Sequence, residues 1–310
     1  MHQRIHDDEV DTSEQTVRRL LASDCQQWAD LPLTYVDSTG SSNTLWRVHV
    51  GGSDDVVVRL PRTDGAEAGI VKEIGLLPAL AATPIAETFS IPAVLHSAAP
   101  SADFPLTWSV MSWIDGADVW SRRDDPNLGR DDFADDMATA IELLSSVEEV
   151  AAPQAVSGRR GGPLHAVLDN LDWWLSDPQW SATDLVDVVA IRRIADQGRE
   201  LPDEPAEIVF SHGDLLPGNL LVTDSRLSAI IDWAATAFSD RAHDIGTMWA
   251  VLDERGRAIV RERLHVDEET WLRGTIIELE QAVGASLYYG PRNHALGDVG
   301  NATLRQILGS

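Results

Sequence analysis

Two side chains with hard oxygen atoms, Asn219 and Asp232, stand at either end of a short segment, and a third, Asp214, lies five residues before Asn219. Carboxylate and amide oxygens are the ligands that Mg²⁺ prefers. A set of so few protein ligands leaves coordination positions for water and for the phosphates of a substrate. The spacing therefore indicates a magnesium site formed by Asn219 and Asp232, with Asp214 on the loop just upstream.

The segment between Asn219 and Asp232 has the pattern of a β-hairpin. Two apolar runs, Leu220–Val222 and Leu227–Ile231, flank the turn-forming pair Asp224-Ser225. A loop centred between Ser225 and Arg226 would place Asn219 directly opposite Asp232. The Cβ atoms of opposed residues lie roughly 5 Å apart, so both side chains would reach one cation.

The same stretch resembles a known family. An Asp-x-x-x-x-Asn motif before an apolar strand that ends in Asp is similar to the catalytic segment of kinase-like phosphotransferases. His212-Gly213-Asp214 and Ile231-Asp232-Trp233 resemble the aminoglycoside phosphotransferase family, antibiotic kinases with the protein-kinase fold. The resemblance implies that Asp214 is the catalytic base and that Asn219 and Asp232 bind Mg²⁺. It also implies that Asp244 accepts hydrogen bonds from the backbone of the catalytic loop.

The resemblance extends upstream to a nucleotide site. The segment Val58–Arg62 resembles a branch of aminoglycoside and macrolide phosphotransferase-like proteins that carry Arg where most kinases have Lys. Arg59 is accordingly expected to bind the α- and β-phosphates of ATP or GTP. Glu73, fourteen residues later in a predicted helix, is expected to orient Arg59. A solvent-facing acid would fit the same position.

Two backbone segments complete the nucleotide site that the resemblance implies. The loop with Gly40, Ser41 and Ser42 would cover the phosphates with its N–H groups. It contains a single glycine, so an ordinary hairpin turn explains it equally well. Ser112 and Ile114 would hold the adenine through backbone groups.

Hydrophobic periodicity and the resemblance together predict an α+β protein with a protein-kinase-like two-lobe fold. The N-terminal lobe, residues 1–112, is expected to be an antiparallel sheet with one packed helix, whose apolar stripe is Ile70, Val71, Ile74, Leu77 and Leu80. A first helix is predicted over residues 12–29, with Thr12 and Gln15 as a capping box. Residues 113–310 are expected to form a mainly helical catalytic and acceptor-binding lobe. They include a helix near residues 183–199 and a basic turn with Arg159 and Arg160.

Composition limits the partners. The chain of 310 residues has 50 Asp and Glu against 24 Lys and Arg, a net charge of −26. Such a surface repels nucleic acid and anionic membranes and favours a cationic small molecule, although solubility alone also explains it. The one cysteine, Cys25, is expected to be a passive thiol in a reducing compartment, and a cytoplasmic location is expected. No obligate protein partner is evident.

Three functions fit these patterns. The first is Mg²⁺-assisted phosphoryl transfer from ATP or GTP to a hydroxyl of a small molecule, with an aminoglycoside antibiotic as the favoured acceptor. The second is a macrolide kinase, or a metabolite kinase acting on a choline-, homoserine- or sugar-like acceptor. The third, from a different class, is a nucleotide-binding pseudoenzyme. The intact Asp214, Asn219 and Asp232 argue against it, whereas Arg59 in place of Lys leaves it open.

Overall fold

The computed structural model describes residues 4–125, 128, 131–148, 150, 162–178 and 186–309. The chain forms two compact units. The N-terminal unit contains Met1–Gly116 and Ala229–Ala234, and the C-terminal unit contains Ala117–Ser228 and Ala235–Ser310. A single division after residue 112 was expected; the return of residues 229–234 to the N-terminal unit was not foreseen from any pattern in the sequence.

The N-terminal unit is built on a five-stranded antiparallel sheet, as predicted. Its strands follow the order β1-β2-β3-β5-β4 and are β1 (Leu33–Tyr35), β2 (Asn43–Val48), β3 (Val56–Pro61), β4 (Val94–Ala98) and β5 (Trp108–Ser112). Three α-helices accompany the sheet: α1 (Glu14–Asp24), α2 (Asp64–Leu80) and α3 (Pro84–Thr88). All six residues of the central strand β3 are buried; five of them are apolar and the sixth is Arg59.

The first helix is shorter than predicted, and its cap differs. Ser13 is the N-cap of α1 and its side chain accepts from the Thr16 N–H. Thr12 is instead buried and bonds the Thr44 hydroxyl at 2.9 Å, so tertiary contact overrides the capping-box signal. Cys25 follows the helix, and burial raises the pKa of its thiol to about 11, as expected of a passive thiol.

Helix α2 buries an acid within its apolar stripe. Ile70, Glu73, Leu77 and Leu80 are buried at helical spacing. Val71, predicted in the stripe, is 50% exposed, because it lies one position off this face. Glu73 therefore occupies a core position of the helix and not the solvent-facing position considered from sequence.

Asp55 closes the turn that leads into β3. Its carboxylate accepts hydrogen bonds from the N–H groups of Gly51 and Val50 and from Arg47 Nε. These bonds, the Gly51 bond foremost, lower the pKa of Asp55 from its ordinary value of 3.8 to about 2.

Replacing Asp55 by Asn is therefore expected to lower the thermal midpoint at neutral pH. A lowered carboxylate pKa stabilises the fold above the unfolded-state value and loses that effect as pH falls toward the folded value. The difference in midpoint between wild type and Asp55→Asn should accordingly shrink from pH 4 toward pH 2. A difference independent of pH in thermal unfolding scans would contradict this account.

The C-terminal unit is mainly helical, as predicted. Its helices are α4 (Asp131–Ser145), α5 (Leu164–Ser176), α6 (Val188–Gly198), α7 (Ala242–Gly246), α8 (Met248–Val251), α9 (Glu254–Arg263), α10 (Glu268–Tyr289) and α11 (Ala295–Leu308). Its core packs α5, α6 and α11 around the long helix α10. The predicted basic turn with Arg159 and Arg160 and residues 183–185 of the predicted helix lie outside the described residues.

Short strands flank the segments that contain Asp214, Asn219 and Asp232. Strands β7 (Ile208–Ser211) and β10 (Ala237–Asp240) pair antiparallel, and β6 (Ala117–Asp118), β8 (Leu220–Thr223) and β9 (Arg226–Ile230) form a second small sheet. The β8–β9 hairpin is confirmed, but its centre is not. The loop contains Asp224 and Ser225, both with positive φ, 50° and 62°, so its centre lies between these two residues. Positive φ at both loop residues is the geometry of a type I′ turn.

In the described part of the chain, no helix has the length and apolar character needed to cross a membrane.

Candidate active site

The loop after β7 is held by an acid from α7. Asp244 accepts hydrogen bonds from the backbone N–H groups of His212 and Gly213, both at 2.9 Å. Asp244 is 4% exposed, so its two charge-assisted bonds are shielded from water. The expectation that Asp244 supports the loop backbone is confirmed.

Gly213 is required by the shape of this loop. Its φ is +74°, and a Cβ at this position would stand 3.0 Å from the Ala235 carbonyl oxygen. A side chain here would be strained in conformation and crowded by backbone. The His-Gly-Asp sequence, where kinases have His-Arg-Asp, therefore has a local structural reason.

Asp214 and Asn219 are brought together within this loop. The Asn219 Nδ2 donates to both the carbonyl oxygen and Oδ2 of Asp214, at 2.9 Å each. The 3₁₀ turn Pro217–Asn219 positions the amide. These bonds orient the Asp214 carboxylate and leave Asn219 Oδ1 without a hydrogen-bond partner among the described residues.

Arg59, Glu73 and Asp232 form a buried ionic cluster in the N-terminal unit. Arg59 Nη1 lies 2.7 Å from Glu73 Oε1, and Nη2 lies 3.1 Å from Asp232 Oδ1. The Arg59 side chain is 7% exposed, that of Glu73 is fully buried and that of Asp232 is 28% exposed. The predicted Arg59–Glu73 pair is thus in contact.

The contact of Asp232 with Arg59 was not predicted. The two residues are 173 positions apart, and sequence reasoning assigned Asp232 to metal alone. Glu73 also accepts the backbone N–H of Trp233 at 3.0 Å, and Asp232 itself has a left-handed φ of 62°. An uncommon backbone conformation held by a buried acid is a pattern found at functional sites.

The cluster shifts its own protonation equilibria. Burial raises the pKa of Glu73, and the neighbouring Asp232 charge adds to this effect against the opposing influence of Arg59. Burial alone would lower the pKa of Arg59, but Glu73 and Asp232 outweigh it and raise that pKa. Arg59 is therefore a permanent cation.

The loop of Gly40, Ser41 and Ser42 lies between β1 and β2. The Ser42 carbonyl accepts the Arg62 N–H at 2.9 Å, and the His6 ring bonds the Ser41 carbonyl at 3.2 Å. Gly40 has no positive φ, and a Cβ there would meet only the Ser38 hydroxyl, at 3.5 Å. Neither backbone conformation nor space demands glycine at this position.

Ser112 is the last residue of β5, and Ile114 lies two residues after it. The Ser112 N–H donates to the Ala93 carbonyl at 2.9 Å, and the Trp113 N–H donates to the Asp55 carbonyl at 3.0 Å. The Ile114 N–H donates to no described residue. The adenine contacts of Ser112 and Ile114 stay predictions.

The donor chemistry of Asn219 and Asp232 fits Mg²⁺. Asn219 Nδ2 donates to Asp214 and Asp232 Oδ1 accepts from Arg59, and each of the two side chains has a second polar atom, a hard oxygen. No group of three or more His, Cys, Asp or Glu with metal-binding geometry occurs among the described residues. A magnesium site at Asn219 and Asp232, completed by phosphate and water, stays a prediction.

Comparison with known proteins identifies the family. A profile of the phosphotransferase enzyme family matches residues 36–276, whereas no curated protein matches the chain. The GDP and kanamycin complex of APH(2")-IIia has 18% identity over 93% of this chain and 98% of its own, with a TM-score of 0.68.

Two further solved structures share the fold. The GDP complex of wild-type aminoglycoside 2'-phosphotransferase-IIIa has 19% identity over 94% of this chain and 98% of its own, with a TM-score of 0.66. Macrolide 2'-phosphotransferase MphH from Brachybacterium faecium has 18% identity over 92% of this chain and 97% of its own, with a TM-score of 0.61. The predicted α+β, protein-kinase-like fold is confirmed. The chain belongs to the phosphotransferase enzyme family and is a phosphotransferase that acts on hydroxyl groups.

Proposed function

We propose that this protein transfers the γ-phosphoryl group of ATP or GTP, with Mg²⁺, to a hydroxyl of an aminoglycoside-type antibiotic. The observation that carries the proposal is the fixed position of the Asp214 carboxylate. The Asn219 amide donates a hydrogen bond to it, and Asp244 accepts hydrogen bonds from the backbone of the same loop. A carboxylate fixed in this way is a ready acceptor for a substrate hydroxyl.

Asp214 accepts a hydrogen bond from the acceptor hydroxyl and takes its proton late in the reaction. Phosphoryl transfer passes through a loose transition state, so most of the rate enhancement comes from positioning and charge stabilisation. The amide of Asn219 limits the rotation of the Asp214 carboxylate and keeps one oxygen aimed at the hydroxyl.

Arg59 binds the α- and β-phosphates. Both of its terminal nitrogens contact carboxylates, and Asp232 is the more exposed of the two partners. When the nucleotide binds, a phosphate oxygen replaces Asp232 Oδ1 as the partner of Arg59 Nη2. Buried Glu73 stays bonded to Nη1 and keeps the guanidinium in place. The backbone of Gly40, Ser41 and Ser42 covers the phosphates.

The remaining nucleotide and metal contacts follow from the same residues. Ser112 and Ile114 hold the adenine or guanine through backbone groups. Asn219 and Asp232 would hold Mg²⁺ through side-chain oxygens, and the ion would supply positive charge against the phosphates. A cytoplasmic location agrees with the use of ATP or GTP. It also agrees with the single cysteine of the chain, which forms no internal disulfide and so needs no oxidising compartment.

The net charge of the chain and the related structures both favour an aminoglycoside as the acceptor. The net charge of −26 attracts a polycationic acceptor over a neutral one. Kanamycin is the compound in one related complex, and a second relative is a macrolide 2'-phosphotransferase. A macrolide or a hydroxylated metabolite is the rival acceptor.

The test is nucleotide-dependent phosphorylation across a panel of aminoglycosides, macrolides and hydroxylated metabolites, with ATP and GTP compared. We expect release of ADP or GDP to rise with an aminoglycoside, and a phosphorylated product by mass spectrometry. A rise with macrolides or metabolites alone would assign the rival acceptor. Nucleotide binding with no stimulation by any acceptor would support the pseudoenzyme alternative.

A further inference from the structure

A pocket of about 730 Å³ lies within the C-terminal unit, and none of its lining residues has a role in the proposed phosphoryl transfer. Helices α8 to α11 contribute to it. Its lining contains three arginines, Arg257, Arg261 and Arg305, against one acid, Glu254. In a chain with 50 acids against 24 Lys and Arg, this is a local reversal of charge.

Arg257 is buried there with only neutral hydrogen-bond acceptors. Arg257 is 6% exposed. Its Nη1 donates hydrogen bonds to the Leu252 carbonyl and to Gln306 Oε1. Burial lowers the pKa of Arg257, and the more distant charges of Asp253 and Glu254 offset this only in part. The guanidinium is thus desolvated, and no carboxylate of a described residue is in contact with it.

The other arginines of α9 differ from Arg257 in having a carboxylate partner. Each of them contacts a carboxylate: Arg255–Asp131 at 2.5 Å, Arg261–Glu268 at 2.6 Å and Arg263–Asp135 at 3.3 Å. A buried charge without a counter-charge disfavours the folded state. An arginine placed in this way is explained if an anion from outside the chain completes it.

The two tryptophans of the pocket orient the arginines. Arg257 stacks on Trp249 at 4.1 Å and Arg261 stacks on Trp271 at 4.7 Å. The Trp249 and Trp271 rings lie 5.4 Å apart, which is direct contact and leaves no room for a ring between them. A molecule that enters this pocket would therefore not stack between the two tryptophans. It would be bound by charge, through the edges of the stacked guanidinium groups.

We propose that this pocket binds a small oxyanionic ligand with two or more negative charges, a phosphate ester or a polycarboxylate, through Arg257 and Arg305. The Arg305 side chain forms no hydrogen bond or ion pair with any described residue, and guanidinium groups bind both kinds of oxyanion in bidentate geometry. The volume suits a small organic molecule.

The test is calorimetric titration of the full chain, without Mg²⁺, with glucose 6-phosphate and with citrate. We expect one-to-one binding of one or both, weakened roughly tenfold or more in Arg257→Met and in Arg305→Met. Arg255→Met is the matched control, because Arg255 is on the same helix but outside the pocket lining, and its affinity should equal that of wild type. Preference for one probe identifies the ligand as phosphate or carboxylate.

Two results would overturn the proposal: neither probe binds, or both arginine variants bind as wild type does. Circular dichroism verifies the fold of each variant. If Arg257→Met fails to fold, the exposed Arg305 decides the question by itself. Because the readout is binding and not phosphoryl transfer, failure here is separate from failure of the proposed function.

Discussion

We expect Asp214→Asn to lower kcat by roughly 10²–10⁴-fold, the usual contribution of a general base, and to leave nucleotide affinity nearly unchanged. Asparagine retains the shape of the side chain and an oxygen for the Asn219 amide, so the loop keeps its structure. It cannot take up the hydroxyl proton. Steady-state kinetics with the acceptor found in the panel, together with nucleotide titration, measures the two effects separately.

Asp224→Asn is the matched control for this variant. Asp224 lies in the same motif, but it is exposed and occupies a left-handed turn position that asparagine tolerates well. Its kinetics should equal those of wild type. An Asp214→Asn enzyme with more than about a tenth of wild-type kcat would remove Asp214 from the role of base.

The second large effect is on stability. Arg59→Met is expected to lower the free energy of unfolding by about 3–5 kcal/mol, the usual consequence of leaving a buried charge without its partner. Glu73 is fully buried and loses the cation that compensates its burial. Denaturant unfolding measures the loss, and Arg18→Met, which breaks an exposed pair with Glu14, is the control with little expected change.

The loss in Arg59→Met should depend on pH. Burial already raises the pKa of Glu73, and removal of Arg59 raises it further. A raised carboxylate pKa makes the fold less stable as pH rises from the unfolded value through the folded one. The variant should therefore be closest to wild type at acidic pH.

A double variant tests the cause. Arg59→Met with Glu73→Gln removes the buried charge but retains an oxygen for the Trp233 N–H. It should recover more than half of the lost stability and lose the added pH dependence. If the single variant costs less than about 1 kcal/mol, or the double variant recovers nothing, the ionic cluster does not stabilise the N-terminal unit in this way.

Local patterns in the sequence predicted the elements correctly where neighbouring residues decide them. Alternating and helical periodicities indicated the antiparallel sheet and the helices of the C-terminal unit. The turn pair Asp224-Ser225 indicated the hairpin. Thr12 shows the limit: a capping box is a local signal, and the buried contact with Thr44 outcompeted it.

The sequence by itself determined the motifs: Asp214 and Asn219 within one loop, and an Arg59–Glu73 pair spaced for a strand and the helix after it. Only the tertiary structure decided which charged side chains contact each other. The return of residues 229–234 to the N-terminal unit brings Asp232 to Arg59. Packing of the helices that line the C-terminal pocket buries Arg257 with no carboxylate of a described residue in contact. The physical reason is that spacing predicts neighbours along one element, whereas ionic partners are set by packing between elements.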